Sequence, residues 1–268
     1  MIGEFTVPSK RKMSNSEYHQ HPAVGSSDLK LILRSTKHYQ YIKENRPEPS
    51  PAMRLGTLVH LAMLEPGLFK KFRVMPDFAG KGSRAEKEAW LIANHGELIV
   101  TAEELEAVKG ALHSVSEHAL APKLLAGGAA EESLFWQDGG TGIVLKCRPD
   151  FIKKGGILVD VKTCQDASLS EFQKAITNYK YHLQAAHYLA GATAVTGTKH
   201  EDFIIIAVEK TPPFGVQVFQ LDEQTIEKGD ELRRRALLRL KAAKDSGIWP
   251  AYSEEIVPIN LTPWGWAE

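Results

Sequence analysis

Arg148-Pro149-Asp150-Phe151-Ile152-Lys153-Lys154-Gly155-Gly156-Ile157-Leu158-Val159-Asp160-Val161-Lys162-Thr163-Cys164 is the stretch whose reading decides the fold. Two runs rich in β-formers flank a Lys-Gly-Gly turn, which predicts an antiparallel hairpin. Alternate residues of a strand share a face. Asp160 and Lys162 therefore point the same way, with Leu158 and Cys164, while Val159 and Val161 point into a core on the other side. A charged pair on an apolar strand is costly to bury without compensation, and a divalent cation would compensate it. Asp150, on the preceding strand, shares the Asp160 face only if paired residue numbers sum to an even value. A three-residue loop, Lys153–Gly155, meets that condition, pairs Asp150 with Leu158 and puts Gly155 in the left-handed region. A two- or four-residue loop would need a bulge near Pro149.

Working outward, the strands expected are Glu132–Trp136, Ile143–Ile152, Ile157–Cys164, Phe203–Glu209 and Val216–Leu221. Helices are expected at Ser168–Thr177, from Tyr179 to Ala192 or beyond, and at Asp222–Ser246. Towards the N-terminus, residues 13–25 read as an extended arm. Helices then open at Gly25-Ser26-Ser27-Asp28, at Lys37 and at Ala52, the last ended by Pro66-Gly67. Two more run from Ser83 to about His95 and from Thr101 to about Leu120, where Thr101 with Glu104 fits a capping box. Arg46–Pro51 is a Pro-rich linker, 77–83 a loop, and the tail from Gly247 carries Trp249, Trp264 and Trp266 without periodicity. This order predicts one α/β (α+β) domain, a central mixed sheet of about five strands flanked by helices. Its helical part would span about 22–125 and its core about 130–246. Met1–Lys12 reads as a vector-derived leader before a native start at Met13 and is set aside from the fold.

The chain has 268 residues, 43% apolar and 25% charged, which excludes wholesale disorder, collagen and a disulfide scaffold. No apolar run reaches the length of a membrane span. Two cysteines suit a reducing, cytoplasmic setting. Lys and Arg balance Asp and Glu at 33 each, but residues 1–100 carry the basic surplus and the remainder the acidic one. That asymmetry can set carboxylates beside a positive channel. His182 and His187 are badly spaced for one metal, Arg233-Arg234-Arg235 wraps around a helix, and Asp138-Gly-Gly-Thr-Gly reads as a turn. No nucleotide-binding or Ser-nucleophile motif appears, so no ATP dependence is expected.

Asp150, Asp160 and Lys162 converging on one site suit Mg²⁺-assisted phosphodiester hydrolysis. Mg²⁺ takes a few carboxylate oxygens plus water and substrate oxygens. It acidifies water and neutralises charge on the phosphate. The lysine can orient or deprotonate the attacking water, or stabilise the transition state.

Pro149-Asp150 followed by Asp160-Val161-Lys162 resembles the signature of the PD-(D/E)xK nucleases, which implies a restriction-endonuclease-like core. Gln184-Ala-Ala-His-Tyr188 is similar to the Q-x-x-x-Y motif of their RecB-like and phage exonuclease branches. Gly25-Ser26-Ser27-Asp28-Leu29-Lys30, Leu55-Gly56-Thr57-Leu58-Val59-His60 and Ala62-Met63-Leu64-Glu65-Pro66 resemble the RecE (exonuclease VIII) domain, with lambda-type exonucleases more distant. The motifs stand in the family's order from about His21 to Leu221.

The resemblance implies that Asp150, Asp160, the Val161 carbonyl and His60 hold the metal, Mg²⁺ or, given the imidazole, Mn²⁺. Lys162 would be catalytic, and Gln184 and Tyr188 would orient it, the metal waters or the DNA backbone. Ser26, Ser27 and Arg148 would bind a 5′-phosphate, and Met53 and Arg54 would part the duplex. The implied activity is 5′→3′ degradation of linear double-stranded DNA to mononucleotides, leaving 3′ tails. Implied partners are DNA ends, a single-strand annealing protein and further copies of the chain in a processive ring. A homotrimer is expected and a homotetramer is the alternative. Rival readings are a RecB-like or restriction-type endonuclease or single-strand nuclease, and a catalytically silent DNA-end clamp.

Overall fold

The computed structural model describes residues 6–47, 50–78, 80 and 83–261. Parts of the leader, the Arg46–Pro51 linker and the 77–83 loop, with Trp264 and Trp266, therefore lie outside the described residues. In chain order the first elements are β1 (Ser9–Arg11), α1 (Asn15–Gln20), α2 (Ser26–Arg34), α3 (Thr36–Glu44), α4 (Pro51–Leu64), α5 (Pro66–Phe69), β2 (Phe72–Val74), α6 (Ser83–Ala93), β3 (Leu98–Val100), α7 (Ala102–Glu117) and α8 (Ala121–Leu124). Then come β4 (Gly128–Ala130), β5 (Ser133–Gln137), β6 (Val144–Cys147), β7 (Phe151–Lys153), β8 (Leu158–Cys164), α9 (Leu169–Asn178), α10 (Tyr181–Thr196), β9 (Phe203–Glu209), β10 (Val216–Gln220) and α11 (Glu223–Ser246).

The five-stranded sheet has the order β10-β9-β8-β7-β4. Only β8 and β9 run parallel, so the sheet is mixed, as expected. Val159, Val161, Ile206 and Val208 face α4 and α7 and pack with Leu58, Val59, Val108 and Ala111. Leu158, Phe203, Ile205 and Ala207 face α2, α10 and α11, among Leu29, Leu183, Leu189 and Leu237. The sheet is thus the middle layer of three, and the face bearing Asp160 is covered as well as the face bearing Val159.

Ile143–Ile152 is not one strand. β6 belongs to a separate antiparallel sheet, β1-β5-β6, and β7 to the large one. The break falls at Arg148-Pro149-Asp150, because Pro149 has no N–H to give a ladder. The chain changes sheets a second time at Glu131, which stands between β4 and β5 at φ 53°. These two crossings lie side by side, with the Glu131 N–H donating to the Asp150 carbonyl at 3.1 Å.

The hairpin loop is Lys154–Gly156, one residue later than expected. Phe151 pairs with Val159, and the Lys153 N–H donates to the Ile157 carbonyl at 2.9 Å. Gly155 and Gly156 both take positive φ, 96° and 92°, which side chains resist. The pairing parity survives the shift, and the register continued by one residue sets Asp150 opposite Asp160 rather than Leu158.

Two further expectations change. Residues 13–25 are not all extended, because Ser14 and Glu17 form a reciprocal capping box that starts α1. The stretch set aside as a leader also enters the fold, since Ser9–Arg11 pairs with β5. Among the described residues no helix is long and apolar enough to cross a membrane.

Gly229 marks the closest approach of α11 to α10. A Cβ there would lie 2.0 Å from the His182 carbonyl oxygen, which is backbone and cannot swing aside. Gly229→Ala should therefore destabilise the protein by at least about 2 kcal/mol, read as a lower urea midpoint at unchanged slope. His187 is fully buried in α10 beside Trp136 and faces the Lys146 carbonyl from Nε2 at 2.9 Å. Burial lowers its pKa to about 3. The unfolded chain then binds one more proton than the native state between about pH 3 and pH 6.5, so this contribution to stability is complete above 6.5 and is lost as pH falls. Urea midpoints at pH 5 and pH 7 should diverge less in His187→Gln than in the parent.

Candidate active site

Four segments meet at the Asp160 end of the large sheet. β8 supplies Asp160 and Lys162, and the crossing before β7 supplies Asp150. α4 brings His60 from one face, and α10 brings Gln184 from the other. Gly56 lets α4 lie on β8, since a Cβ there would meet Thr163 Oγ1 at 3.2 Å. His60, Val161 and Lys162 line one cleft of about 610 Å³ with Met53, Tyr179 and Tyr181.

Asp160 is almost wholly buried. Its Oδ1 accepts a hydrogen bond from Gln184 Nε2 at 3.0 Å. Its Oδ2 contacts the Lys162 ammonium, but no donor is aligned on it as a hydrogen bond. Asp150 Oδ2 accepts from the Val161 N–H at 2.6 Å and lies 3.3 Å from His60 Nδ1. The expected Val161 contribution was its carbonyl; its N–H is already committed to Asp150. Lys30 of α2 reaches Gln184 Oε1 at 3.5 Å, and both ammonium groups sit over the Tyr181 ring, Lys162 at 5.1 Å and Lys30 at 5.5 Å.

The sequence did not point to Glu131. Its carboxylate, His60 and Asp150 offer ligand atoms that all lie within 4.8 Å of one another. The expected strand began at Glu132 and left Glu131 just outside it. Lys30 stood in a quoted motif without a role, and Tyr181 in the run leading to Gln184.

The charges are mutually dependent. Burial pushes the Asp160 carboxyl up; the Lys162 charge pulls it down and Asp150 pushes it up again, and burial prevails. Burial also opposes ionisation of Asp150, yet His60, Lys162 and the Val161 N–H hold it below the usual carboxylate range. Lys162 is desolvated, but Asp160 and Asp150 raise its pKa. Burial and the Asp150 charge lift Glu131 to about 7, while burial and Lys162 lower Lys30 to about 7. Three carboxylates thus face the Lys162 ammonium, the His60 imidazole and the Arg148 guanidinium, which lies 4.0 Å from Glu131, at low solvent exposure. The buried Asp160 Oδ2 with no aligned donor and a mixed imidazole–carboxylate donor set fit a divalent cation such as Mg²⁺ or Mn²⁺.

Other expected residues are placed differently. Arg148 does not offer a fork to a phosphate: its Nε donates to Ser133 Oγ and its Nη2 to the Met13 and Ser14 carbonyls, while the guanidinium stacks on Tyr18 at 4.3 Å. Arg54 is held by Glu104 through two donors and by the Ile99 carbonyl, which ties α4 to α7. Ser26 and Ser27 are the first residues of α2, but Gly25 is the cap and its N–H donates to Asp28 Oδ2 at 2.9 Å. Met53 is 64% exposed on the cleft wall, where a wedge could stand. Of the Gln184–Tyr188 pair only Gln184 touches Asp160. Tyr188 packs edge-on to Phe203 in the core, near enough to Asp160 and Asp150 that their charges raise its phenol further above its ordinary value than burial alone.

Residues 25–262 match the family described as PDDEXK-like domain of unknown function (DUF3799). The chain belongs to that family. Its fold is shared by a protein from Eubacterium rectale named as a candidate exonuclease, with TM-score 0.61 and 13% identity over 96% of this chain and 98% of that one. A phage-related exonuclease from Haemophilus somnus 129PT aligns at TM-score 0.35 and 14% identity over 85% and 97% of the two chains. An alkaline exonuclease from Laribacter hongkongensis aligns at TM-score 0.29 and 15% identity over 70% and 94%. No curated protein matches. The expected PD-(D/E)xK core is therefore the fold of this chain; of the signature residues Lys162 lines the cleft, and Asp150 and Asp160 lie buried beside it.

If Glu131 is a ligand, Glu131→Gln should weaken Mn²⁺ binding in a calorimetric titration by about tenfold, one charge-assisted contact's worth. Glu132→Gln, whose carboxylate pairs instead with Lys10 at 3.5 Å, should leave it unchanged.

Proposed function

We propose that this protein is a divalent-metal-dependent 5′→3′ exodeoxyribonuclease that degrades linear duplex DNA to mononucleotides and leaves 3′ single-stranded tails. The observation that carries the reading is the contact network of Asp150, Asp160, Lys162, His60 and Gln184 beside one cleft in a PDDEXK-like domain. Polarity, duplex preference and end dependence come from the resemblance to RecE-type enzymes. With them come a cytoplasmic setting, a processive homotrimeric ring, a homotetramer as the alternative, and a single-strand annealing partner for recombination.

Asp150, Asp160, Glu131 and His60 would hold the cation, with the Val161 carbonyl beside them. When bound, the cation supplies an acidified water and neutralises charge building on the phosphate. Lys162 keeps an ammonium beside Asp160, which suits it to stabilise a developing phosphate oxyanion. Gln184 fixes the Asp160 carboxylate from the far side, and Lys30 braces Gln184. Ser26 and Ser27, at the positive end of α2, remain the candidates for the 5′-phosphate, because the dipole favours an anion there. Met53 remains the candidate wedge.

Nucleotide release from 5′-phosphorylated linear duplex, with Mg²⁺ or Mn²⁺, tests the reading. Release should stop in EDTA, fall by at least about a hundredfold in Lys162→Ala, and slow on a 5′-hydroxyl end, while a closed circle stays intact. Cutting of the circle would move the protein to the endonuclease branch. Tight end binding without release under either metal would make it a clamp.

A further inference from the structure

The rim of the cleft carries a stack of aromatic rings that the proposed chemistry does not use. Phe219 and Phe172 lie parallel, 4.7 Å apart at 7°. Phe172 meets Tyr181 at 6.1 Å and 30°, and Tyr181 stacks on Tyr179 at 5.6 Å and 29°. The row starts in the core and ends in solvent: Phe172 is 1% exposed and Tyr179 62%.

Residues two apart do not face each other on a helix. Tyr179 and Tyr181 do so because Lys180, between α9 and α10, takes φ 53° and ψ 48°, folding the backbone so that both rings turn to one side. Tyr181 is braced from behind by Phe172 and flanked by the Lys162 and Lys30 ammonium groups. Tyr179 has a stacking partner on the Tyr181 side, and it lines the same cleft as Lys162 and His60. Exposed Met53 stands on the cleft wall formed by α4.

Resting on the nuclease reading, we propose that Tyr179 is a base-stacking subsite: an unpaired nucleobase of the single strand entering the cleft lies on the Tyr179 ring as the next member of the row. Every base offers a π-face, so such a platform grips a strand without reading its sequence. The neighbouring ammonium groups suit the phosphates on either side. Rigidity is what the row adds, since a ring already stacked loses little freedom when a base arrives.

The test is binding in EDTA, without cleavage, of a fluorescein-labelled single-stranded oligothymidylate, read by anisotropy. Tyr179→Ala should weaken binding by about five- to a hundredfold, the range for losing one stacked base. Tyr179→Phe and Tyr179→Trp should stay within about twofold of the parent, and the new indole should be quenched on binding. A matched oligonucleotide with abasic sites throughout should bind the parent and Tyr179→Ala equally. Equal affinity of Tyr179→Ala and the parent for oligothymidylate would overturn the platform while leaving metal-dependent release from linear duplex intact. Absence of both binding and release in the folded parent would overturn the nuclease reading and the platform with it.

Discussion

A carboxylate buried between two packed layers must be compensated, and the Asp160 carboxylate sets the terms for its surroundings. The Asp160 side chain is nearly sealed from solvent, so each oxygen depends on a neighbour placed by the fold. Gln184 serves Oδ1, and Lys162 faces Oδ2 from the same strand. Lys162 cannot be spared: removing one partner of a buried pair costs more than the pair contributes when whole. Gln184 in turn requires α10 to lie close over β8. α10 lies there because α11 presses on it through Gly229, where no side chain intervenes. A glycine on α11 thus bears on how closely Gln184 approaches the strand carboxylate.

Why the site lies at this end of the sheet follows from the two crossings. A strand residue inside a ladder has its backbone satisfied and its side chain committed to one face. At Glu131 and at Arg148-Pro149-Asp150 the chain leaves one sheet for another, so side chains there are released from strict alternation. Asp150 uses that freedom to bond the Val161 N–H, and Glu131, in the left-handed region, turns its carboxylate towards His60 and Asp150. Strained backbone of this kind persists only where the surroundings fix it. Here Arg148 does so, clamping β6 to the N-terminal segment through Ser133, Met13 and Ser14. The residue expected to hold a phosphate instead holds the corner on which the acidic cluster depends.

Local patterns were legible in the sequence where the physics is local. Phe203–Glu209, the Thr101–Glu104 capping box and the Asp222 start of α11 follow from periodicity and capping chemistry. The Asp160–Lys162 pair follows from strand alternation. Features that depend on which sheet a segment joins were not legible. Val144–Cys147 and Phe151–Lys153 read as one strand because nothing in their residue types separates them, and Pro149 alone marks the division. Arg54 and Arg148 look like free cations until Glu104 and Ser133, distant in sequence, come to meet them. Glu131 carries no pattern, since its role rests on a backbone turn that Glu does not advertise.

The site divides its labour by charge. On one side His60, Glu131 and Asp150 form an electron-rich corner; on the other, Lys162 and Lys30 stand over Tyr181. A phosphodiester has a matching duality, an anionic group to be neutralised and bases with neutral π-faces on either side. Lysine suits the second side better than arginine would. Its ammonium is a compact point charge that can contact Asp160 and still lie over a ring, whereas a guanidinium fork would seek both carboxylate oxygens and displace Gln184 from Oδ1. Holding Asp160 through one oxygen by Gln184 and through the other by Lys162 leaves that second oxygen without an aligned donor. Burial raises the carboxyl's pKa, and that oxygen keeps a lone pair that no aligned donor takes.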